Sequence, residues 1–338
     1  MPDKESRLRL NPQINISRST AVRMWLVFGC ASVAVLQSAA GDSGASLFVA
    51  LATFIGAVLT ELVISYRGYG YAKIKDGSAA ASALVLALLL PNHIHPVYAI
   101  LGGVFAMAVV KHSFGGLGSN WLNPALGGWL FVRFSWPLAF ERALEGSGDY
   151  FSGAGSSVDH AVSGFLNSTI LPFFSAAIPT GYIDLFASQE PGIIADRAVF
   201  TLVVGTAFIA AFQISRSWLS VVYLAVFGLL ARMLGDLPYS GLWWNGDVIL
   251  AFLSGGTLVA AFILIADPSS GAKSTLGNVI VVVLAAILSV TFRYFGSAFY
   301  GCFFAIALVN ALVPLLCKAE RRLLYSAIKE SAPPREAA

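Results

Sequence analysis

Charge is scarce in this chain. Asp, Glu, Lys and Arg make up 12% of its 338 residues, against roughly 25% in ordinary globular proteins. Apolar residues reach 57%, so too little polar surface remains to cover a core in water. That excludes a soluble globular protein and makes lipid the solvent for most of the chain. The net charge of +3 is too small to suggest a nucleic-acid partner. The three cysteines, Cys30, Cys302 and Cys317, lie in or beside apolar runs without a CxxC pair. They support neither a disulfide framework nor an iron–sulfur site, and read as small buried hydrophobes. His93, His95, His112 and His160 have no ligand-like spacing with Cys or acidic residues, so no metal site is expected. Gly271-Ala272-Lys273-Ser274 lacks the spacing of a phosphate loop. No nicotinamide fingerprint follows a strand and no nucleophile or acid–base constellation is present; Met24–Ala40 follows some twenty polar residues, lacks the cleavage site of a signal peptide and is expected as the first membrane helix.

What is present is a series of apolar runs. A membrane helix needs about 20 apolar residues to cross roughly 30 Å of hydrocarbon. Ten runs approach that length: 23–40, 46–65, 78–91, 96–111, 122–138, 198–214, 217–234, 247–266, 276–294 and 297–317. The expected fold is an all-α polytopic membrane protein of about ten transmembrane helices. The third and fifth runs are short and carry Gly or Pro, as half-helices or tilted helices do. The chain divides into an N-terminal arm (1–22), a first five-helix unit (23–138), a loop (139–197), a second five-helix unit (198–317) and a tail (318–338). Ten crossings put both termini on one side, and the basic residues say which. The arm holds Lys4, Arg7, Arg9, Arg18 and Arg23, and the tail holds Lys318, Arg321, Arg322, Lys329 and Arg335. Even-numbered loops add Arg67, Lys73, Lys75, Lys111, Arg216 and Lys273. Both termini are therefore expected in the cytoplasm. The long loop then faces outward; it is acidic, Gly/Ser-rich through 146–157, and apolar enough at Phe165, Phe173, Phe174 and Phe186 to fold.

The two units read as a degenerate repeat. Asp76-Gly77-Ser78-Ala79 follows the second run, and Asp267-Pro268-Ser269-Ser270-Gly271 follows the eighth. Gly-Ser recurs at 118–119 and 296–297, each ahead of a run ending in Pro-Leu. Five helices per unit is an odd number, so the repeat is inverted across the membrane.

Polar residues stand where lipid makes them expensive. Asp76, Gly77 and Ser78 suit a helix start, as a simple cap or as an anion-favouring N-terminus. The segment Lys111–Ala125 carries Gly118, Asn120, Asn123 and Pro124, a broken-helix site or a packing turn. A third polar segment centres on Asp267. Arg133 and Glu61 lie within runs and are expected to pair with each other.

Taken in order, these segments resemble RnfD, a membrane component of the Rnf ion-translocating electron-transport complex. They also resemble the related NqrB of the sodium-pumping NADH:quinone oxidoreductase. The resemblance rests on Asp76-Gly77-Ser78-Ala79 with Leu84–Pro91, and on Phe114–Gly118 with Asn123-Pro124-Ala125. It continues through Tyr182–Phe186 with Pro191-Gly192, Ser254-Gly255-Gly256 and Ala266-Asp267-Pro268. RnfD is the nearer, because the long N-terminal extension of NqrB is missing. The resemblance implies two inverted five-helix repeats in a protein of the bacterial inner membrane. Such a protein relays electrons through flavin, within a multi-subunit complex coupled to Na+ or H+ movement. It implies FMN joined by a phosphoester to a Thr of the outer loop, in a motif close to Ser-Gly-Ala-Thr, attached by a flavin transferase. A second, non-covalent flavin such as riboflavin is implied among the helices. Asp76, Gly77, Ser78, Gly118, Asn120, Asn123, Asp184 and Asp267 are the candidate cofactor contacts. The attachment motif itself is altered. Aligning on Ala161-Val162-Ser163 puts Leu166 at the attachment position, and a three-residue insertion puts Thr169 there.

Two other classes fit the same architecture. A small-solute transporter or channel would line its path with Asn120, Asn123, Ser269 and Asn310 and hold no chromophore. A scaffold protein would anchor partners without flavin.

Overall fold

A computed structural model describes residues 20–68, 76–113, 115–116, 120, 122–145, 157–174, 181–186, 192–211, 217–235, 243–267, 270–272 and 274–331. Most of the N-terminal arm, the 146–156 stretch, Gly118 and Ser269 lie outside the described residues. Within them the secondary structure is helical, relieved by an isolated β-bridge between Pro91 and Ile193. The chain is an all-α, multi-pass membrane protein. Among the described residues, five helices are long and apolar enough to cross a bilayer: Ala21–Gly41, Ala45–Tyr66, Ser217–Leu234, Thr275–Phe295 and Gly301–Arg322.

The first unit opens with α1 (Thr20–Gly41) and α2 (Ala45–Gly68). A tight turn joins them, with Ser43 and Gly44 at positive φ and Asp42 accepting from the Ser46 amide at 2.9 Å. The short α3 (Ser78–Leu89) follows, and then α4 (Pro96–Phe105), which continues as a π-helix over Ala106–His112. Pro91 forces Leu90 into an extended conformation and ends α3. Lipid would not satisfy the carbonyls freed there. Residues 193–195 do so instead: the Ile194 amide donates to Leu90 and the Ala195 amide to Leu88, both at 3.0 Å. The segment that leads into the second unit thus completes a helix of the first.

Asn123 caps α5 (Pro124–Ser135), and Pro137 starts α6 (Pro137–Glu145). Helix α6 buries Phe140, Ala143 and Leu144 while exposing Arg142 and Glu145. Close helix contact relies on small residues. A Cβ at Gly56 of α2 would lie 2.3 Å from the Ile100 carbonyl of α4, and one at Gly128 of α5 would lie 2.7 Å from the Gly102 carbonyl.

The long loop, 139–197, is folded where it is described. It holds α7 (Ser157–Phe165), a π turn (Leu166–Ile170), a 3-10 turn (Leu171–Phe174) and α8 (Tyr182–Phe186). The second unit has α9 (Val199–Ala211), α10 (Ser217–Leu234), α11 (Val248–Leu253), α12 (Thr257–Val259), α13 (Thr275–Phe295) and α14 (Gly301–Ser331). The run at 247–266, expected as one helix, is broken. Gly255 and Gly256 take φ of 60° and 62° between α11 and α12, and a π-helix (Ala260–Leu264) completes the passage. Close backbone approach explains both glycines: a Cβ on Gly255 would lie 2.3 Å from the Ala298 carbonyl, and one on Gly256 would lie 2.4 Å from the Phe303 ring. One buried cluster runs from Ala31 to Val313 and joins the two units in a common core.

Candidate functional site

Most of the candidate polar residues converge at one end of the bundle, where α2 and α4 finish and α3 and α5 begin. Asp76 Oδ1 accepts from the Ser78 amide (2.8 Å) and from Ser78 Oγ (2.7 Å). Ser78 Oγ in turn accepts from Lys111 Nζ at 2.7 Å. Lys111 also donates to Glu61 Oε1 at 2.8 Å, and His112 Nε2 lies 2.7 Å from Glu61 Oε2. The Lys111 and Glu61 side chains are 2% and 3% exposed. Such a pair persists only when hydrogen bonds satisfy its remaining capacity, and Ser78 and His112 supply them. Gly77 holds the turn before α3 at φ 71°, and a Cβ there would lie 2.9 Å from the Trp25 indole.

The segment after the π-helix folds back onto this cluster. Asn120 is buried, and with its amide nitrogen turned inward it donates to the carbonyls of Lys111 and Gly116, both at 3.2 Å. Asn123 accepts from the Ala125 amide at 3.0 Å and donates to Asp267 Oδ2 at 2.8 Å. That last bond crosses from the first unit to the second. It brings Asp76 and Asp267 to the same end of the bundle, whereas counterparts in an inverted repeat lie at opposite ends. The residue that opens the third helix of the second unit as Asp76 opens α3 is Asp247, whose Oδ1 accepts from the Leu250 amide at 3.0 Å.

The expected Arg133–Glu61 pair does not form. Glu61 lies toward the end of α2, at the Lys111 end, while Arg133 occupies the last turn of α5, at the opposite end. Arg133 pairs instead with Glu141 at 2.5 Å and Tyr300 Oη at 2.9 Å. Nor is Lys111 a loop charge, since it is buried. Sequence reasoning missed the Glu61–Lys111–His112 cluster, although a carboxylate inside one apolar run and a cation ending another are the signal for it.

Thr169 and Asp184 are remote from this cluster. Asp159 accepts from the Gly181 amide (2.9 Å) and the Ile183 amide (3.0 Å), tying α7 to α8. Gln37 Nε2 donates to the Phe186 carbonyl at 2.9 Å, tying α8 to α1. Gln37 stands twelve residues along α1 from Trp25, about 18 Å at 1.5 Å per residue. Asp184 is buried, while Thr169 is exposed beside Ser168, whose Oγ is 3.4 Å from Thr169 Oγ1. Tyr182 donates to Asp247 Oδ2, and burial first and this carboxylate second push the phenol well above its ordinary range. Of the residues expected to line a solute path, Asn310 is buried in α14, apart from Asn120 and Asn123, and its Nδ2 has no hydrogen-bond partner among the described residues.

Comparison with known proteins bears on this arrangement. The family model for NQR2, RnfD and RnfE matches residues 7–325. The D component of the Na(+)-translocating ferredoxin:NAD(+) oxidoreductase complex of Acetobacterium woodii is 26% identical over 277 residues, covering 81% of each chain. The D component of the proton-translocating ferredoxin:NAD(+) oxidoreductase complex of Clostridium ljungdahlii is 27% identical over 312 residues, covering 91% of this chain and 92% of that one. The D component of the ion-translocating oxidoreductase complex of Aeromonas hydrophila is 28% identical over 310 residues, covering 83% and 86%.

Proposed function

Because this chain belongs to the NQR2, RnfD, RnfE family, we propose that it is the RnfD-type membrane component of an ion-translocating electron-transport complex. It works with other subunits and is not catalytic alone, in a bacterial inner membrane with both termini cytoplasmic. The observation that carries this reading is the Asn123–Asp267 bond. It joins two of the segments on which the resemblance rests, one from each unit, beside the buried Glu61–Lys111 pair. Its electrons pass through bound flavin, coupled to Na+ or H+ movement.

The residues present fit covalent FMN at Thr169, the exposed hydroxyl that the resemblance selects, with exposed Ser168 beside it. A phosphoester needs a hydroxyl that a flavin transferase can reach. Thr169 is exposed, Ser163 is 2% exposed, and Leu166 has no hydroxyl. Exposed Phe165, Ile170 and Phe173 flank Thr169 with apolar surface suited to a flavin ring. Bound there, FMN supplies the electron-transfer chemistry, while the chain supplies position and electrostatics. A second, non-covalent flavin rests on the family resemblance alone, because Asp76, Ser78, Asn123 and Asp267 already bond within their own cluster.

The test is expression with a flavin transferase, denaturation, and flavin fluorescence on the separated band. Fluorescence lost in Thr169→Val supports the covalent site. Fluorescence retained moves it to another hydroxyl such as Ser168. A colourless native protein that conducts a solute would favour the transporter reading, and a colourless one that only holds its partners together would favour a scaffold.

A further inference from the structure

At the end of the bundle away from Lys111, α5, α13 and α14 enclose a groove of about 540 Å³, within the roughly 300–1,000 Å³ of small-molecule sites. Its length is apolar, with Leu130 on α5 facing Phe304 and Leu308, which step down α14 one turn apart. Its mouth is polar and lies at helix ends. Ser297 and Tyr300 stand in the turn before α14, and Arg133 in the last turn of α5.

Arg133 lines the mouth, and Glu141 adjoins it through its bonds to Arg133 and Tyr300. The Arg133 guanidinium sits 5.1 Å over the Tyr300 ring and 5.3 Å over Phe140. Its Nη2 makes the bonds to Tyr300 and to Glu141 Oε1, and Tyr300 Oη donates to that same oxygen at 2.7 Å. The Arg133 side chain is 16% exposed and that of Glu141 is 42% exposed. Each charge therefore keeps capacity for another partner.

We propose that this groove is a binding site for phosphatidylethanolamine. Its phosphate sits on Arg133 and Ser297, its primary ammonium on Glu141, and one acyl chain lies along Leu130, Phe304 and Leu308. Charge complementarity selects this headgroup. An anionic lipid without an amine would meet Glu141 uncompensated, and a quaternary ammonium has no N–H to donate to it. The proposal is independent of the flavin reading.

The test uses full-length protein purified in mild detergent, with lipid per chain measured by mass spectrometry and thermal shift measured on adding lipids of matched acyl chains. Wild type should retain phosphatidylethanolamine and be stabilised by it more than by phosphatidylcholine or phosphatidylglycerol. Glu141→Gln keeps the groove but loses the charge, and its preference over phosphatidylcholine should fall about tenfold, the equivalent of one charged hydrogen bond. Leu308→Trp fills the groove from an exposed position and should abolish retention of every lipid while the mouth stays intact. Equal retention of all three lipids by wild type, a preference for phosphatidylglycerol, or retention unchanged in both variants would each overturn the proposal. So would an assembled complex that holds no phosphatidylethanolamine, which would assign the groove to a partner protein.

Discussion

The two helical halves of the chain solve one problem in different ways. Each carries a buried cation in the last turn of its fourth helix, Lys111 in the first and Arg293 in the second, both 2% exposed. Each cation reaches hydroxyls of the unit's third helix segment, Ser78 in the first, Ser254 and Thr257 in the second. Each also faces the second helix, at a position seven residues before that helix ends at Gly68 or Leu234. There the units diverge. The first sets a carboxylate, Glu61, against Lys111; the second sets the Phe227 ring 5.5 Å from the Arg293 guanidinium. Arg293 also donates to the Ala251 carbonyl at 2.8 Å, a carbonyl beside the break between α11 and α12. The second cation thus restores hydrogen bonds that a broken helix has lost, whereas the first belongs to a cluster that includes a second acid and a histidine. The difference teaches that the same fold position can clamp a broken backbone in one half and anchor a buried side-chain network in the other.

Making the units alike should break them unequally. Glu61→Phe installs the second unit's residue and leaves the Lys111 ammonium buried without its carboxylate. Removing one member of a buried pair costs about 3–5 kcal/mol, the largest effect expected here. A thermal melt in detergent should show it, and Glu61→Phe with Lys111→Met should recover most of the loss. A double variant as unstable as the single one would mean that the cluster supports more than the pair. Arg293→Met should cost less, about 1–3 kcal/mol in all, because the Ala251 carbonyl keeps the Thr257 hydroxyl as a donor and the Ser254 and Thr257 hydroxyls keep their bonds to backbone carbonyls. That damage should appear as faster amide hydrogen exchange around residues 250–257. Exchange unchanged there would remove Arg293 from its role as the clamp of the break.

Much of the fold was legible because lipid makes it so. Apolar runs bounded by Pro, Gly or charge located the helices, and the shortness of the third and fifth runs survives as α3 and α5, each of 12 residues. The break in the eighth run was written as Ser254-Gly255-Gly256, but apolar content alone does not separate one long helix from two short ones. The site was legible as a set of residues rather than as contacts. Asp76, Ser78, Asn120, Asn123 and Asp267 stood out by polarity, and they converge, whereas pairing Glu61 with Arg133 ignored depth. Counting along the antiparallel helices puts the two at opposite ends. Matching Asp76 to Asp267 by local composition likewise took no account of which end of a helix each one marks. Asp247, which opens α11 as Asp76 opens α3, had no flanking Gly-Ser to draw attention to it.

Asp247 also supplies the smallest prediction, at the edge of the comparison. It has a partner for which Asp76 has no counterpart among the described contacts, the Tyr182 phenol of the long loop. Burial and Asp247 hold the Tyr182 proton on, so its folded-state pKa lies above the unfolded value of about 10. The sign follows from proton uptake: the stabilisation is complete below about pH 10 and is lost as the pH rises through the folded value. Tyr182→Phe should therefore destabilise the long loop by about 1 kcal/mol at neutral pH, the low end for a charged hydrogen bond because the phenol is only half-buried. The deficit relative to wild type should narrow above pH 10. Protease nicking between α7 and α8, followed against pH, reads it directly, and a deficit that stays constant to high pH would detach the loop's stability from this hydrogen bond.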